Sequence, residues 1–469
     1  MRKKYIAVVQ AGGKGTRMRE LTRDQIPKPM LMLNGKPMIQ WQIENIARYG
    51  IREFVIITGY LGKKIAEYFG DGTSLGVRIS YIREEEPLGS AGALYFLKDK
   101  TEIKDFLLVF GDVMFELDWS RMIDYHEKHK GKASVLVHPN AHPYDSDLLT
   151  VDEKGRITGI DSKNQKREYW YDNCVNAGVY IFSKNIMDMF NKPRKMDLEK
   201  DILTGLIEQK EAYGYHTSEY VKDAGTPERF KRAALEQAVG IWKKKCLNKK
   251  QKCIFLDRDG TVNQFKGLIG DEKDFELEKN AANAIRRINE SGFLAIIVTN
   301  QPVVARGMCR IEDVEQIHRK MQTLLGNEGA YLDDIVFCPH HPDKGYPEEN
   351  PVYKMECECR KPAVGMICKM AERYNIDLAE SYMIGDSTVD IQTGINAGMR
   401  TILVRTGQAG TDGKYHVEPD ITVNNLEKAV ECILSNVHSG TRKGALPEKN
   451  YNNESLHKKE DLGSGLCSS

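Results

Sequence analysis

Asp257 and Asp259 stand two residues apart in Phe255-Leu256-Asp257-Arg258-Asp259-Gly260-Thr261, directly behind an apolar run that begins at Cys253. Such a run predicts a short buried strand, and side chains at i and i+2 leave a strand on one face. Both carboxylates are therefore expected to point into one small volume beyond the strand's carboxyl end, where open α/β sheets bind ligands. Two carboxylates so close repel unless a cation or a shared proton holds them, and all-oxygen ligation suits magnesium. For so short a motif, a strand followed by an Asp-rich turn is the plain alternative.

Near the amino end, apolar residues 6–9 run into Ala11-Gly12-Gly13-Lys14-Gly15-Thr16-Arg17-Met18. Glycines let backbone N–H groups approach an anion, and a following helix start adds favourable partial charge. Lys28 is held between Pro27 and Pro29, so Arg17 and Lys28 together offer cations that could neutralise a triphosphate. The spacing fits neither the Walker loop nor the dinucleotide fingerprint. A third group, Cys338-x-His340 with Cys357-x-Cys359, provides three thiolates and an imidazole, a soft tetrahedral set suited to structural zinc. His341 is an alternative ligand, and reduced cysteines without metal are the alternative reading.

The elements that must position these groups alternate along the chain. Strand-like runs at 54–58, 106–110, 134–137 and 179–182 follow the first, with amphipathic stretches between them; in residues 38–49, Ile39, Ile43, Ile46 and Ala47 share a face. A second series follows at 254–256, 294–298, 335–337, 382–384 and 401–404. This βα alternation predicts α/β architecture with mostly parallel sheets, in two doubly wound, Rossmann-like domains. Between them, six lysines fall within residues 243–252, which read as a solvated, mobile connector. The expected division is 1–240 and 253–435, joined by a basic linker at 241–252 and followed by a disordered tail at 436–469.

With 68 Lys and Arg against 67 Asp and Glu, the net charge of +1 provides no field for nucleic acid or anionic membrane. No stretch approaches a signal sequence or a membrane span, and the ten scattered cysteines read as reduced thiols, so a cytoplasmic setting is expected.

Residues 1 to about 240 resemble the sugar-1-phosphate nucleotidylyltransferases. The glycine-rich run carries the resemblance together with Glu86-Pro87-Leu88-Gly89-Ser90-Ala91-Gly92, Phe110-Gly111-Asp112, Asn176-Ala177-Gly178 and Lys222-Asp223-Ala224-Gly225-Thr226-Pro227-Glu228, in the family's order. It implies that Ala11, Gly12, Gly13, Gly15 and Thr16 cradle a nucleoside triphosphate, with Arg17 and Lys28 as catalytic cations. Gly89, Ser90 and Gly92 would contact the base, Asp112 and Asp223 would hold magnesium, and Asn176 and Lys163 would lie near the sugar phosphate. Gln10, Arg19-Glu20 and Ser90 depart from the usual pattern, which leaves base preference open.

Residues 253 to about 434 resemble the haloacid dehalogenase-like phosphatases, through the Asp257 motif, Val298-Thr299-Asn300-Gln301, Arg360-Lys361-Pro362 and Gly385-Asp386-Ser387-Thr388-Val389-Asp390. The resemblance implies that Asp257 is the nucleophile and Asp259 the acid and base. Asp257, Asp259 and Asp386 would hold magnesium, with Asp390 in support. Thr299 would hold the phosphoryl group, Lys361 would screen the nucleophile, and Asn300, Arg306 and Arg360 would lie near the substrate.

With its zinc-like loop this half resembles the D-glycero-D-manno-heptose 1,7-bisphosphate 7-phosphatases, with histidinol-phosphate phosphatases as the alternative. His142-Pro143-Tyr144-Asp145-Ser146-Asp147 is similar to guanylyltransferase-type fusions, which favours GTP. The two resemblances together imply consecutive steps of nucleotide-activated heptose synthesis. The rivals are a mannose-1-phosphate guanylyltransferase or other nucleotide-sugar enzyme with a different phosphatase, or one half acting as an inactive regulatory module. A homo-oligomer is left open.

Overall fold

The computed structural model describes residues 5–98 and 105–438. The apolar run near the amino end forms the strand Tyr5–Ala11, buried on both faces. Ala7 and Val9 share one apolar cluster with Ile43 and Ile46 of the helix Met38–Ala47, while Ile6 and Val8 belong to another with Leu108 and Phe182. That alternation belongs to a sheet covered on both sides.

Nine strands make this sheet. Seven follow the order Ile157–Asp161, Leu148–Val151, Val175–Ser183, Asp105–Phe110, Tyr5–Ala11, Glu53–Thr58, Arg78–Arg83, and Ala133–His138 and Ala212–His216 attach beside Val175–Ser183. Tyr5–Ala11 is parallel to both neighbours, but Val175–Ser183 runs antiparallel to all of its partners. The sheet is thus mixed, where the βα alternation predicts a mostly parallel one. Between residues 138 and 175 the chain has two short strands and a 3-10 turn in place of a crossover helix, so it returns in the opposite sense. A separate antiparallel pair, Val113–Glu116 with Tyr220–Asp223, sets Asp223 opposite Val113.

The second half has six parallel strands, in the order Asp334–Cys338, Leu294–Asn300, Cys253–Leu256, Tyr382–Gly385, Arg400–Val404, Ile421–Val423. The winding reverses between the first strand in sequence, Cys253–Leu256, and Tyr382–Gly385, which is where such sheets open a crevice for ligands. Both halves are α/β, as the alternation predicts.

Residues 241–252 are not the solvated connector that their lysines suggest. Ile241–Lys244 is a helical turn, and Ile241, Trp242, Lys245, Cys246, Leu247 and Gln251 are buried while Lys243, Lys244, Lys249 and Lys250 face solvent. Trp242 stacks on Tyr220 (ring centroids 5.0 Å apart) and meets Trp41 edge-on at 5.7 Å. Counting charges misses this because the buried positions are spaced among the lysines. The helix Leu426–His438 runs past residue 435, and the rest of the expected tail lies outside the described residues. No helix among the described residues is long and apolar enough to cross a membrane.

Candidate active sites

In the second half, Asp257 follows the strand Cys253–Leu256 and Asp386 follows Tyr382–Gly385, so the winding reversal sets them side by side. Asp390 comes back from the first turn of the helix Thr388–Asn396, where its carboxylate also accepts the Ser387 hydroxyl at 2.6 Å and caps the helix. The three carboxylates lie within 4.8 Å of one another and are all buried. Lys361 Nζ donates to Asp257 Oδ1 at 2.7 Å and to Asp390 Oδ1. Burial, opposed by Lys361, pushes Asp257 up to about 7; burial, then Asp257 and Asp390, pushes Asp386 up to about 8. One ammonium against three buried carboxylates leaves an excess of negative charge that a hard divalent cation fits. Gly260 is required here. Its φ is +79°, and a Cβ on it would stand 2.3 Å from Asp386 Oδ2.

Asp259, next in the expected ligand set, has its carboxylate engaged by other partners. Its carboxylate is outside the three-carboxylate group and turns to Arg258 (2.9 and 3.0 Å), Gln301 Nε2 (2.8 Å) and Asn263 Nδ2 (3.1 Å). The reason is that Asp259 lies in the turn beyond the strand's end, so the period of two no longer governs its direction. Asp390 completes the group of three carboxylates. Arg258, fully buried, also donates to Gln301 Oε1 at 2.9 Å and meets His318 Nε2 at 3.3 Å. Sequence reading assigns Arg258 and Gln301 no role of their own; Gln301 Nε2 also reaches the Thr299 hydroxyl at 2.9 Å.

Asn300 lies against the peptide of Lys361. Its side-chain amide donates to Lys361 O (3.1 Å) and accepts from Lys361 N (3.0 Å), clamping that peptide. Arg306 lies over the Tyr346 ring at 4.5 Å, and Arg360 donates to His340 O at 3.0 Å. Cys338, His340, Cys357 and Cys359 converge within 4.8 Å, with sulfur–sulfur distances of 3.2 to 3.5 Å and His340 Nδ1 3.2 Å from Cys359 Sγ. Four donors so placed fit a tetrahedral zinc ion. His341 turns away and accepts the Asp343 N–H at 3.1 Å.

In the first half, Ala11 ends its strand and residues 12–15 turn away, with Gly15 at φ +62°. The 3-10 turn Thr16–Met18 and the four-residue helix Arg19–Thr22 come next, too short to add the expected helix-end charge. Lys28, buried, bonds Asp112 Oδ2. The strand pair brings Asp223 alongside Asp112, whose carbonyl accepts the Ala224 N–H at 2.8 Å. Asp223 accepts from Arg229 Nη1 at 2.7 Å, and Arg229 continues to Asp145 at 2.6 Å. Arg17 reaches the same place, its Nη2 3.2 Å from where a Cβ on Gly225 would stand and Asp223 Oδ1 2.6 Å from that point.

A cavity of about 730 Å³ contains Arg17, Asp112, Asp223, Asn176 and Lys163. Asn176 faces the half-buried Glu199 (3.4 Å), and Lys163 pairs with Asp147 (3.1 Å). The segment 88–92 lies against residues 196–198: Ala91 N donates to Met196 O at 3.1 Å and Ser90 Oγ accepts the Leu198 N–H at 2.8 Å. Gln10 Nε2 reaches Gly89 O at 3.4 Å. Gly12 is pressed by Glu84, whose Oε2 would be 2.1 Å from a Cβ there. Neither Glu84 nor Arg229 carries a motif signal that sequence reading could use.

A family model described as nucleotidyl transferase matches residues 6–238, and one described as HAD-hydrolase-like matches residues 358–429. Over 237 residues, 50% of its length, the chain is 31% identical to a mannose-1-phosphate guanylyltransferase of Mycobacterium tuberculosis, and it spans 65% of that relative. Over 181 residues, 38% of its length, it is 42% identical to the D-glycero-beta-D-manno-heptose-1,7-bisphosphate 7-phosphatase of Yersinia pestis, and it spans 94% of that relative. A crystal structure of D,D-heptose 1,7-bisphosphate phosphatase from B. bronchiseptica, complexed with magnesium and phosphate, is 32% identical and covers 40% of this chain and 99% of its own, with a TM-score of 0.36. The chain belongs to the D-glycero-beta-D-manno-heptose-1,7-bisphosphate 7-phosphatase family and carries a nucleotidyl transferase domain ahead of it.

Proposed function

We propose that this chain removes the 7-phosphate of D-glycero-D-manno-heptose 1,7-bisphosphate and transfers a nucleotidyl group, GMP from GTP, to the resulting 1-phosphate. The observation that carries the reading is the buried group of Asp257, Asp386, Asp390 and Lys361, in one chain with a second cavity holding Arg17, Asp112 and Asp223, with Lys28 bonded to Asp112. Residues 1–240 and 253–435 are the two functional units. A cytoplasmic setting is in keeping with nine described cysteines, all free.

In the phosphatase half, Asp257 forms the new bond to phosphorus as the bond to the sugar oxygen breaks. Asp259 gives a proton to that oxygen, then takes one from the water that releases phosphate from Asp257. To reach the leaving oxygen, Asp259 exchanges its donors Arg258, Gln301 and Asn263 for the substrate. Lys361 keeps Asp257 aligned and offsets its charge. Magnesium held by Asp257, Asp386 and Asp390 would supply the charge that lets a phosphate approach three carboxylates. Zinc on Cys338, His340, Cys357 and Cys359 would be structural, pinning the loop that carries Arg360 and Lys361.

In the transferase half, an oxygen of the sugar phosphate attacks the α-phosphorus and pyrophosphate leaves. Both reactants are anions, so Arg17, Lys28 and the backbone N–H groups of residues 12–15 serve to hold them. Magnesium on Asp112 and Asp223 would supply further positive charge. Residues 89–92 take the base, while Asn176 and Lys163 take the acceptor. The Mycobacterium relative favours a second reading in which the acceptor is mannose 1-phosphate.

Mass analysis of products from heptose 1,7-bisphosphate, mannose 1-phosphate and each nucleoside triphosphate, with magnesium, tests the proposal. GDP-heptose with one phosphate and one pyrophosphate per turnover is expected. Turnover of mannose 1-phosphate alone would overturn the heptose assignment.

A further inference from the structure

The cavity holding Asp112, Asp223 and Asn176 is not closed by the first half alone. Its remaining wall is Arg286, Asn289 and Glu290 of the helix Ala281–Ser291, with Gly329, Tyr331 and Asp333 beyond the helix Ile311–Asn327. This wall is built into the join between the halves. Asn289, buried, donates to Tyr331 O at 2.9 Å and accepts from Tyr331 N at 3.0 Å. Lys245 Nζ, also buried, donates to the Tyr331 hydroxyl at 2.9 Å. Arg232 of the first half pairs with Glu290 at 2.9 Å. Pro143 approaches Gly326 so closely that a Cβ there would stand 2.5 Å from its ring.

The cations around this cavity are not equivalent. Lys163 is paired with Asp147, Arg229 with Asp223 and Asp145, and Arg232 with Glu236 and Glu290. Arg286 makes no ion pair among the described residues; Nη2 donates to the neutral Asn283 Oδ1 at 2.8 Å, and the side chain is exposed. A guanidinium with free donors matches the geometry of a phosphate.

We infer that Arg286 of the phosphatase half binds the anionic sugar phosphate in the nucleotidyl-transfer cavity, so that the acceptor site is completed across the join. The inference rests on the proposed transferase activity. It makes the fusion more than a tether, because one half's acceptor affinity depends on a side chain of the other.

The test is pyrophosphate release against sugar 1-phosphate concentration at saturating GTP, in the full chain and in Arg286→Ala, Arg286→Lys and Arg287→Ala. Phosphate release from heptose bisphosphate on the same preparations reports that the second half is folded. Arg286→Ala is expected to raise the acceptor KM about tenfold, as loss of a charge-assisted bond does, with kcat and the GTP KM within about twofold. Lysine should restore much of the loss, and Arg287→Ala, outside the cavity lining, should behave as the parent. An unchanged acceptor KM in Arg286→Ala, or an equal rise for GTP, overturns the inference. If the parent forms no pyrophosphate with any acceptor, the transferase reading fails separately. Calorimetric titration with sugar 1-phosphate then decides: weaker binding to Arg286→Ala supports the inference, while equal binding, or none by the parent, overturns it.

Discussion

At the scale of residues, the second half concentrates its chemistry in an arrangement that is electrostatically costly by itself. Asp257, Asp386 and Asp390 are buried around one lysine, and burial drives Asp257 to about 7 and Asp386 to about 8. In the unfolded chain both carboxyls sit near ~3.9, so over about pH 4 to 8 the folded state holds protons that the unfolded state has released. Stability of the metal-free half therefore falls as pH rises through that window. Calorimetry in chelator should show its Tm lower at about pH 8 than at about pH 5, with magnesium restoring more at the higher pH. A Tm flat with pH in chelator would contradict this. Asp257→Asn should cut phosphate release by about a thousandfold or more while leaving pyrophosphate release unaffected, measured on one preparation. Hydrolysis at the parental rate would remove Asp257 from the nucleophile's role.

At the scale of elements, the loop that carries Arg360 and Lys361 is held from two sides. Asn300, at the end of the strand Leu294–Asn300, bonds both ends of the Lys361 peptide, and Arg360 bonds the carbonyl of His340. Asn300→Ala removes two hydrogen bonds and should cost about 1–3 kcal/mol in denaturant melts. It should lower kcat of the phosphatase more than it raises KM, because it positions Lys361; a change in KM alone would favour direct substrate contact. Cys359→Ser breaks the Cys3His set beside this loop. Expected results are loss of bound zinc by elemental analysis and a phosphatase weakened about tenfold or more, with nucleotidyl transfer intact. Full phosphatase activity without zinc would make the cluster dispensable.

At the scale of the whole molecule, the two halves share a packed seam. Trp242 closes an aromatic cluster with Trp41 and Tyr220 at the start of the segment that links them, and Tyr171, Pro143 and Lys245 meet residues 323–331 of the second half. Trp242→Ala should destabilise the first half by about 3–5 kcal/mol in urea melts, the cost of an emptied aromatic site. A solvated linker would lose almost nothing, so the size of the change separates the two descriptions.

The sequence by itself determined the local matters: strand positions, the strand end that carries Asp257, the glycine-rich turn after Tyr5–Ala11, and the cysteine and histidine set. These follow from periodicity and from residue chemistry, which act over a few neighbours. The distant partners of Asp259, Asn300 and residues 241–252 escape such reading because they come from segments far off in sequence: Gln301 for Asp259, the Lys361 peptide for Asn300, Trp41 and Tyr331 for the linking segment. Only the tertiary structure decided that the Asp259 carboxylate turns to Arg258 and Gln301, that the first sheet is mixed, and that a helix of the phosphatase half walls the transferase cavity. Winding order and the docking of two surfaces set those contacts, and neither is written in the spacing of residues along one chain.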